Sequence, residues 1–182
     1  MSRLPQLDPA SMTGKSAELA RAVQQKLGLV PNMVRAMANS PAVLEAYVAF
    51  SSALAHGHLG ARLGEQIALQ VAEANDCSYC LSAHCVIGGK VGLAKTELAA
   101  AREGRSGDAR AQAALTFVRA LLVRDGAVSD DDLAAVRAAG YDDGQIAEIV
   151  ATVALNVFTN MFNRAVGTDI EFPVVRAGAR AA

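Results

Sequence analysis

The sequence predicts an all-α protein, and three features favour this fold class. Apolar residues recur at helical spacing, as in Val43, Leu44, Tyr47 and Phe50. No run of β-branched residues alternates with polar ones at the period of two that a half-buried strand shows. Hydrophobic residues make up 52% of the 182 residues, and alanine dominates them. We therefore expect helices that approach each other closely through small side chains.

The first half of the chain is predicted to form an extended N-terminal arm at residues 1–15 followed by five helices. Pro5 and Pro9 oppose regular structure in the arm. Gly28 is expected to end the first helix, and Gly88 and Gly89 to stop the fifth. The predicted helices run over 16–27, from Pro31 onward, and over 41–55, 61–74 and 77–87.

The second half is predicted to contain helices over 108–123, 130–139 and 143–166. Ser129 is a suitable N-cap, with Asp132 three residues later in a capping-box-like position. The Ala/Gly/Arg-rich residues 173–182 are expected to form a flexible tail. One helical domain would then span 16–172.

This domain is expected to hold two degenerate repeats. Residues 65–68 (EQIA) align with residues 144–147 (GQIA), which places Cys77 over Asn156. A first copy over about 41–92 would keep the reactive groups, and a second over about 108–166 would have lost them.

Composition and charge exclude several functional classes. The formal net charge is −1 and the charged residues are scattered, so no basic face for nucleic acid is expected. No apolar run reaches the roughly 20 residues that span a bilayer, and residues 1–5 lack the apolar region of a signal peptide. No GxGxxG motif or P-loop is present. We therefore expect a cytoplasmic protein with neither nucleic acid nor membrane as a partner.

The most informative residues are Cys77, Cys80 and His84, which share one face of a predicted helix at positions i, i+3 and i+7. Two thiols three residues apart on a helix can form a disulfide after a small adjustment. With Asp76 as the expected N-cap, Cys77 would lie in the first helical turn, where the helix dipole favours a thiolate. The imidazole of His84 could accept a thiol proton.

Glu65 lies in an apolar stretch of the preceding helix and is expected to be a buried acid, of the kind whose pKa is commonly raised. Its carboxylate could hold the imidazole of His84 or pass on a proton. In a cytosolic chain with only three cysteines, a Cys-x-x-Cys pair indicates redox or metal chemistry. The alternatives to redox chemistry are a structural zinc site, with His84 and one of Cys85, His56 or His58 as further ligands, and two inert buried thiols.

Other polar residues are ambiguous. Cys85 is expected to be a core residue, and His56 and His58 to lie at a helix end or loop. The last helix carries a polar stripe that comprises Asn156, Thr159, Asn160 and Asn163. These side chains either form hydrogen bonds between helices or subunits, or line the thiol pocket. Tyr79, Asn156 and Asn160 are the predicted substrate-binding residues.

The spacing of these groups resembles a known family. The pattern is similar to the core motif of the alkyl hydroperoxidase D (AhpD) family, in the carboxymuconolactone decarboxylase superfamily. It consists of Glu65, eleven residues, Cys77-x-x-Cys80, three residues and His84. The segments 26–33 and 40–44 resemble the leader of its peroxidase-related members. The segments 155–163 and 168–173 resemble their C-terminal part, so the resemblance covers most of the chain.

This resemblance implies an AhpD-like helical bundle that assembles as a homo-oligomer, often a trimer or hexamer. It implies an antioxidant oxidoreductase that reduces peroxides through a redox-active disulfide. Cys80 would attack the peroxide, Cys77 would resolve the intermediate, and His84 and Glu65 would relay the proton. No bound cofactor or metal is expected, and an external dithiol, either a lipoyl group or a small thiol protein, would act as reductant.

One departure from the family concerns Tyr79, which stands where the best-known members have a second histidine between the cysteines. Tyrosine is a poor base near neutral pH, so the relay would depend on Glu65 and His84. Helix-terminus chemistry alone would make Cys77 the more acidic thiol, whereas the resemblance favours Cys80. Two further alternatives are a redox-sensing or disulfide-exchange protein and a carboxymuconolactone decarboxylase-like enzyme, although those decarboxylases generally lack the paired cysteines.

Overall fold

The computed structural model describes residues 2–178, and it confirms the all-α prediction. Within that range the chain forms nine α-helices, one short 3-10 turn at Pro9–Ser11 and no strand. The helices are α1 (Gly14–Leu27), α2 (Asn32–Met37), α3 (Pro41–Ala55), α4 (Ala61–Ala74), α5 (Ser78–Lys90), α6 (Lys95–Arg102), α7 (Ala109–Val123), α8 (Asp130–Ala138) and α9 (Asp143–Val166).

Several helices begin and end at the signals in the sequence. The Ser40 hydroxyl accepts from the backbone N–H of Val43 at the start of α3, with Pro41 in the first position. Ser129 and Asp132 form the predicted capping box at the start of α8. Gly28 ends α1 in the left-handed conformation, which glycine adopts without a steric penalty.

Two predictions about elements are wrong, and one helix is missing from the prediction. The N-terminal arm is not extended throughout, because it contains the 3-10 turn and the start of α1 at Gly14. Gly88 and Gly89 do not stop α5, which continues to Lys90. The short helix α6 was not predicted.

Helix α4 is the centre of the bundle because it has two buried faces. Ile67 and Val71 belong to a core cluster with apolar residues of α7, α8 and the first half of α9. Leu69 and Ala72 belong to a second cluster with residues of α2, α3, α5 and α6. Buried apolar surface on both faces therefore fixes α4 between the two halves of the chain.

The described part of the predicted tail is bound to the bundle. The backbone N–H of Val175 donates to Ser82 Oγ (2.9 Å), and that of Ala177 donates to Ser78 Oγ (3.2 Å). Arg102 Nη2 donates to the carbonyl of Arg176 (3.0 Å). Residues 173–178 thus lie along α5 rather than forming a flexible end, and residues 179–182 of the predicted tail lie outside the described residues.

Among residues 2–178, α9 is the one helix long and apolar enough to cross a membrane by length and composition. It packs against α3, α4, α5 and α7, as the core helix of a bundle does. Four polar side chains of α9 are buried inside the bundle, which a helix surrounded by lipid would not show. They are Asn156, Thr159, Asn160 and Asn163.

Candidate functional site

The two cysteines lie at the start of α5. Cys77, and not Asp76, is the N-cap, and its Sγ accepts from the backbone N–H of Cys80 (3.3 Å). Asp76 has a positive φ of 52°, because the chain turns sharply between α4 and α5. The Cα atoms of Cys77 and Cys80 are 5.4 Å apart, and their sulfur atoms form a disulfide. The predicted pairing is therefore present, although the cap was assigned one residue too early.

The surroundings of the two sulfur atoms differ. Both residues are buried, with 1% of Cys77 and 3% of Cys80 exposed. Asn163 of α9 donates from Nδ2 to Cys80 Sγ (3.3 Å) and contacts Met33 Sδ (3.1 Å). An amide donor at this distance stabilises a thiolate better than a thiol. Cys80 is also the only one of the pair that lines the large cavity described below.

His84 and Glu65 form a direct contact across α5 and α4. His84 Nδ1 lies 2.8 Å from Glu65 Oε2, and the side chains are 21% and 16% exposed. Burial lowers the pKa of His84, but the charge of Glu65 and its hydrogen bond outweigh burial and raise it above the ordinary value of 6.5. With Nδ1 bonded to the carboxylate, Nε2 is the nitrogen left to face a group in the cavity.

Tyr79 is held by two segments far away in sequence. Its hydroxyl accepts from the backbone N–H of Met33 (3.1 Å) and donates to Glu171 Oε1 (2.9 Å). Its ring packs edge-on against Phe172, with centroids 5.8 Å apart. Burial, and then the charge of Glu171, raise the pKa of Tyr79 far above its ordinary value, so the hydroxyl stays protonated.

A cavity of about 550 Å³ lies between α3, α4, α5, α9 and the C-terminal segment. Five predicted site residues line it, namely Glu65, Tyr79, Cys80, His84 and Asn156. Most of the remaining wall is apolar, and includes Leu27, Leu29, Leu54, Val86, Ile87, Leu155 and Phe172. The Cys80 sulfur and the imidazole–carboxylate pair therefore share one largely apolar chamber of the size that binds a small organic molecule.

The polar stripe of α9 divides between two roles. Asn156 lines the cavity, as do Thr159 and Asn163. Asn160 does not line the cavity, since it is fully buried and accepts from Asn75 Nδ2 (3.1 Å). Asn163 was part of the predicted stripe but was not singled out, although its spacing from Asn156 on the same helix face was visible in the sequence.

The remaining predicted residues lie where the sequence indicated. Cys85 is partly buried against the second core cluster, and burial raises the pKa of its thiol, as do the charges of Glu65 and Glu73. His56 ends α3 and bonds the carbonyl of Ser52. In the part of the chain that the structure describes, no group of three or more His, Cys, Asp or Glu side chains is arranged to hold a metal ion.

Comparison with known proteins agrees with this geometry. Residues 41–122, which include Glu65, both paired cysteines and His84, match the carboxymuconolactone decarboxylase family. An uncharacterized peroxidase-related protein from Ralstonia eutropha JMP134, described as an alkylhydroperoxidase AhpD core, is 27% identical, with a TM-score of 0.82 over 93% of this chain and 92% of that one. Over residues 41–122 the chain is therefore similar to the carboxymuconolactone decarboxylase family, and its helices adopt the AhpD-like fold.

Two further solved structures share the fold of this AhpD-like protein. An uncharacterized peroxidase-related protein from Silicibacter sp. TM1040 is 25% identical, with a TM-score of 0.80 over 91% of this chain and 88% of that one. The debrominase Bmp8 is 25% identical, with a TM-score of 0.74 over 86% of each chain. A cysteine-to-alanine variant of Bmp8 has been solved in complex with 2,3,4-tribromopyrrole. No protein with a curated description matches the sequence.

Proposed function

We propose that this AhpD-like protein is a thiol-dependent peroxidase that reduces organic hydroperoxides. The observation that carries the proposal is the disulfide of Cys77 and Cys80, of which Cys80 alone lines the cavity, in the same chamber as the His84–Glu65 pair. A substrate in the cavity would meet Cys80 first, which supports Cys80 as the attacking thiol and Cys77 as the resolving one.

In the proposed reaction the Cys80 thiolate attacks one peroxide oxygen and the O–O bond breaks. The alkoxide leaves as an alcohol after taking a proton from His84, and Cys80 becomes a sulfenic acid. The Cys77 thiol then attacks the Cys80 sulfur, water leaves, and the disulfide forms. An external dithiol, such as a lipoyl group or a small thiol protein, returns the two electrons by exchange. Glu65 would hold Nδ1 of His84 in a hydrogen bond, so that Nε2 is the atom that donates the proton to the alkoxide.

A thiol count tests this proposal directly. Reduced wild type should lose two thiols and one equivalent of organic hydroperoxide, whereas Cys77→Ser should stop at a Cys80 sulfenic acid that a dimedone-type reagent traps. Cys80→Ser should react with peroxide only slowly. Cys85→Ser is the matched control, since Cys85 carries no proposed role, and it should behave as wild type. A sulfenic acid trapped only in Cys80→Ser would reverse the two roles.

Sustained turnover separates an enzyme from a redox sensor. With a dithiol reductant in excess, an enzyme consumes many equivalents of hydroperoxide, whereas a sensor is oxidised once. Decarboxylase-like chemistry is not favoured, because the paired thiols would then have no part in the reaction.

Reductive debromination is a second candidate, favoured by the breadth of the apolar chamber at Cys80 and by the similarity to Bmp8. The dithiol would supply two electrons: a carbon–bromine bond would be replaced by a carbon–hydrogen bond, bromide would leave, and the disulfide would form. Bromide release from a bromopyrrole by the reduced protein, without hydroperoxide consumption, would select this reaction over the first.

A further inference from the structure

The carboxylates that line the cavity are already bound by groups of this chain. Glu65 contacts His84, as described above. Glu171 Oε1 accepts from the Tyr79 hydroxyl and from the backbone N–H of Asn32 (2.8 Å). Glu148 Oε2 accepts from the backbone N–H groups of His58 (2.8 Å) and Leu59 (3.2 Å). Their charges are therefore engaged within the fold.

Lys90 differs from these groups. It is the last residue of α5, it lines the same cavity, and it is exposed. Between residues 2 and 178, no hydrogen bond or ion pair to its ammonium group is found. It is thus the one charged group of the cavity wall that the described chain leaves without a partner.

The wall between Lys90 and the reactive sulfur is apolar. Lys90 lies ten positions after Cys80 along α5, which corresponds to a rise of about 15 Å along the helix. Among the intervening residues that line the cavity, His84 belongs to the redox centre, and Ala83, Val86 and Ile87 are apolar. Along the cavity the redox centre is followed by an apolar stretch and then by a cation. A fatty-acid hydroperoxide carries complementary groups in the same order: the hydroperoxide, the acyl chain and the carboxylate.

We infer that Lys90 binds the carboxylate of a fatty-acid-like substrate and that the site takes long-chain carboxylates whose hydroperoxide group reaches Cys80. The hydroperoxide half of this inference rests on the proposed function. The carboxylate half does not, because an unoxidised fatty acid has the same head group and chain. Lys90 is a specificity residue that acts on binding and does not contact the reacting atoms.

The first experiment measures binding without any reaction. Laurate and its methyl ester are titrated into the disulfide form of wild type, Lys90→Gln and Lys90→Glu. Because a hydrogen-bonded charge is worth about one factor of ten or more in affinity, Lys90→Gln should weaken laurate binding roughly tenfold and Lys90→Glu further. The neutral ester should bind all three proteins equally. Lys95→Gln, a nearby exposed lysine at the start of α6 that does not line the cavity, is the matched control.

The second experiment measures turnover. With linoleic acid hydroperoxide, Lys90→Gln should raise KM about tenfold with kcat unchanged, whereas the methyl ester and cumene hydroperoxide should show no dependence on Lys90. Laurate binding that is equal in wild type and Lys90→Gln would overturn the inference. Lys90-dependent binding of laurate with no peroxide consumption would overturn the proposed function and leave the carboxylate site standing.

Discussion

At the scale of single residues, each disulfide sulfur accepts one hydrogen bond from a backbone or side-chain amide. The backbone N–H of Cys80 points at Cys77 Sγ, and the side-chain amide of Asn163 points at Cys80 Sγ. Each donor favours a thiolate once the disulfide is reduced. The helix-terminus effect is thus directed at Cys77, while the buried amide from α9 is directed at the sulfur that faces the cavity.

The donor from Asn163 should lower the pKa of the Cys80 thiol. In a Cys77→Ser background, Asn163→Ala should raise that pKa by about one unit, because a hydrogen bond to a charged group is worth about 1.5–3 kcal/mol. The pH dependence of alkylation of Cys80 measures this. Asn75→Ala removes a comparable amide that bonds Asn160 and contacts no sulfur, so it should leave the profile unchanged. An unchanged profile in Asn163→Ala would show that the amide does not act on the thiolate.

Glu65 should set the protonation of His84. Replacing it by Gln removes the negative charge while the ring stays buried, so the pKa of His84 should fall below 6.5. Titration of the His84 ring by NMR measures the change. Glu73→Gln, on the same helix but paired with Arg102, is the control and should leave the His84 titration in place.

The same substitution should alter how stability depends on pH. A histidine whose folded-state pKa is raised contributes stability that is fully present below the unfolded value and is lost as pH rises through the folded value. The difference in unfolding free energy between wild type and Glu65→Gln, from urea unfolding, should therefore be larger below pH 6.5 than above the folded-state pKa of His84. A difference that grows toward alkaline pH would contradict this assignment.

The cysteine pair could be predicted because the spacing of its two residues is local. Cys77, Cys80 and His84 share one helix face, and that pattern is visible without a fold. The partners of Tyr79 could not be predicted, because Met33 and Glu171 come from segments that only tertiary packing brings to it. The N-cap was misassigned because Asp76 has a strong cap propensity, whereas the actual cap bond is made by a sulfur.

At the scale of elements, the sequence predicts closely the bounds of the helices with strong caps. It does not predict helix α6, and it wrongly ends α5 at Gly88 and Gly89. Gly88 is buried, and a Cβ there would lie 2.7 Å from Leu98 Cδ2 of α6. This glycine therefore permits close packing of α5 on α6 and does not end a helix. Its packing role could not be recognised in a sequence where α6 itself, eight residues long and rich in alanine, had been missed.

Gly88 and Gly89 provide a matched pair of substitutions. Gly88→Ala should destabilise the fold by about 1–3 kcal/mol, because the new methyl group must displace Leu98 and Leu93. Gly89→Ala meets nothing within 4 Å and should stabilise by about 0.5–1 kcal/mol through helix propensity. Urea unfolding of the two variants measures both. Equal effects from the two substitutions would rule out close packing as the reason for Gly88.

At the scale of the whole molecule, the site exists only where distant parts of the chain meet. The cysteine helix α5, the central helix α4 and the last helix α9 each supply polar groups, and the segment after α9 closes over Tyr79. Helical periodicity predicts which faces are buried, but it does not predict which helix lies opposite which. The cavity, and the contact between Asn163 and Cys80, follow from that pairing.

The outer face of α9 is the surface that we expect to join two copies of the chain. Val150, Phe158 and Met161 lie on one side of the helix and are 42%, 39% and 67% exposed, with Ala154 between them. Burial of this apolar stripe against a second copy of the chain would explain why the stripe is exposed in a single copy. Such a contact would agree with the trimer or hexamer expected from the sequence.

Met161→Glu should weaken that contact, because an unpaired carboxylate would be buried in it. We expect the mass measured by light scattering to fall toward that of the monomer at a protein concentration where wild type remains assembled, with at least roughly tenfold weaker association. Val123→Glu introduces the same charge at a 77% exposed residue at the end of α7 and should not change the mass. If Met161→Glu and wild type have the same mass, the apolar face of α9 does not join subunits.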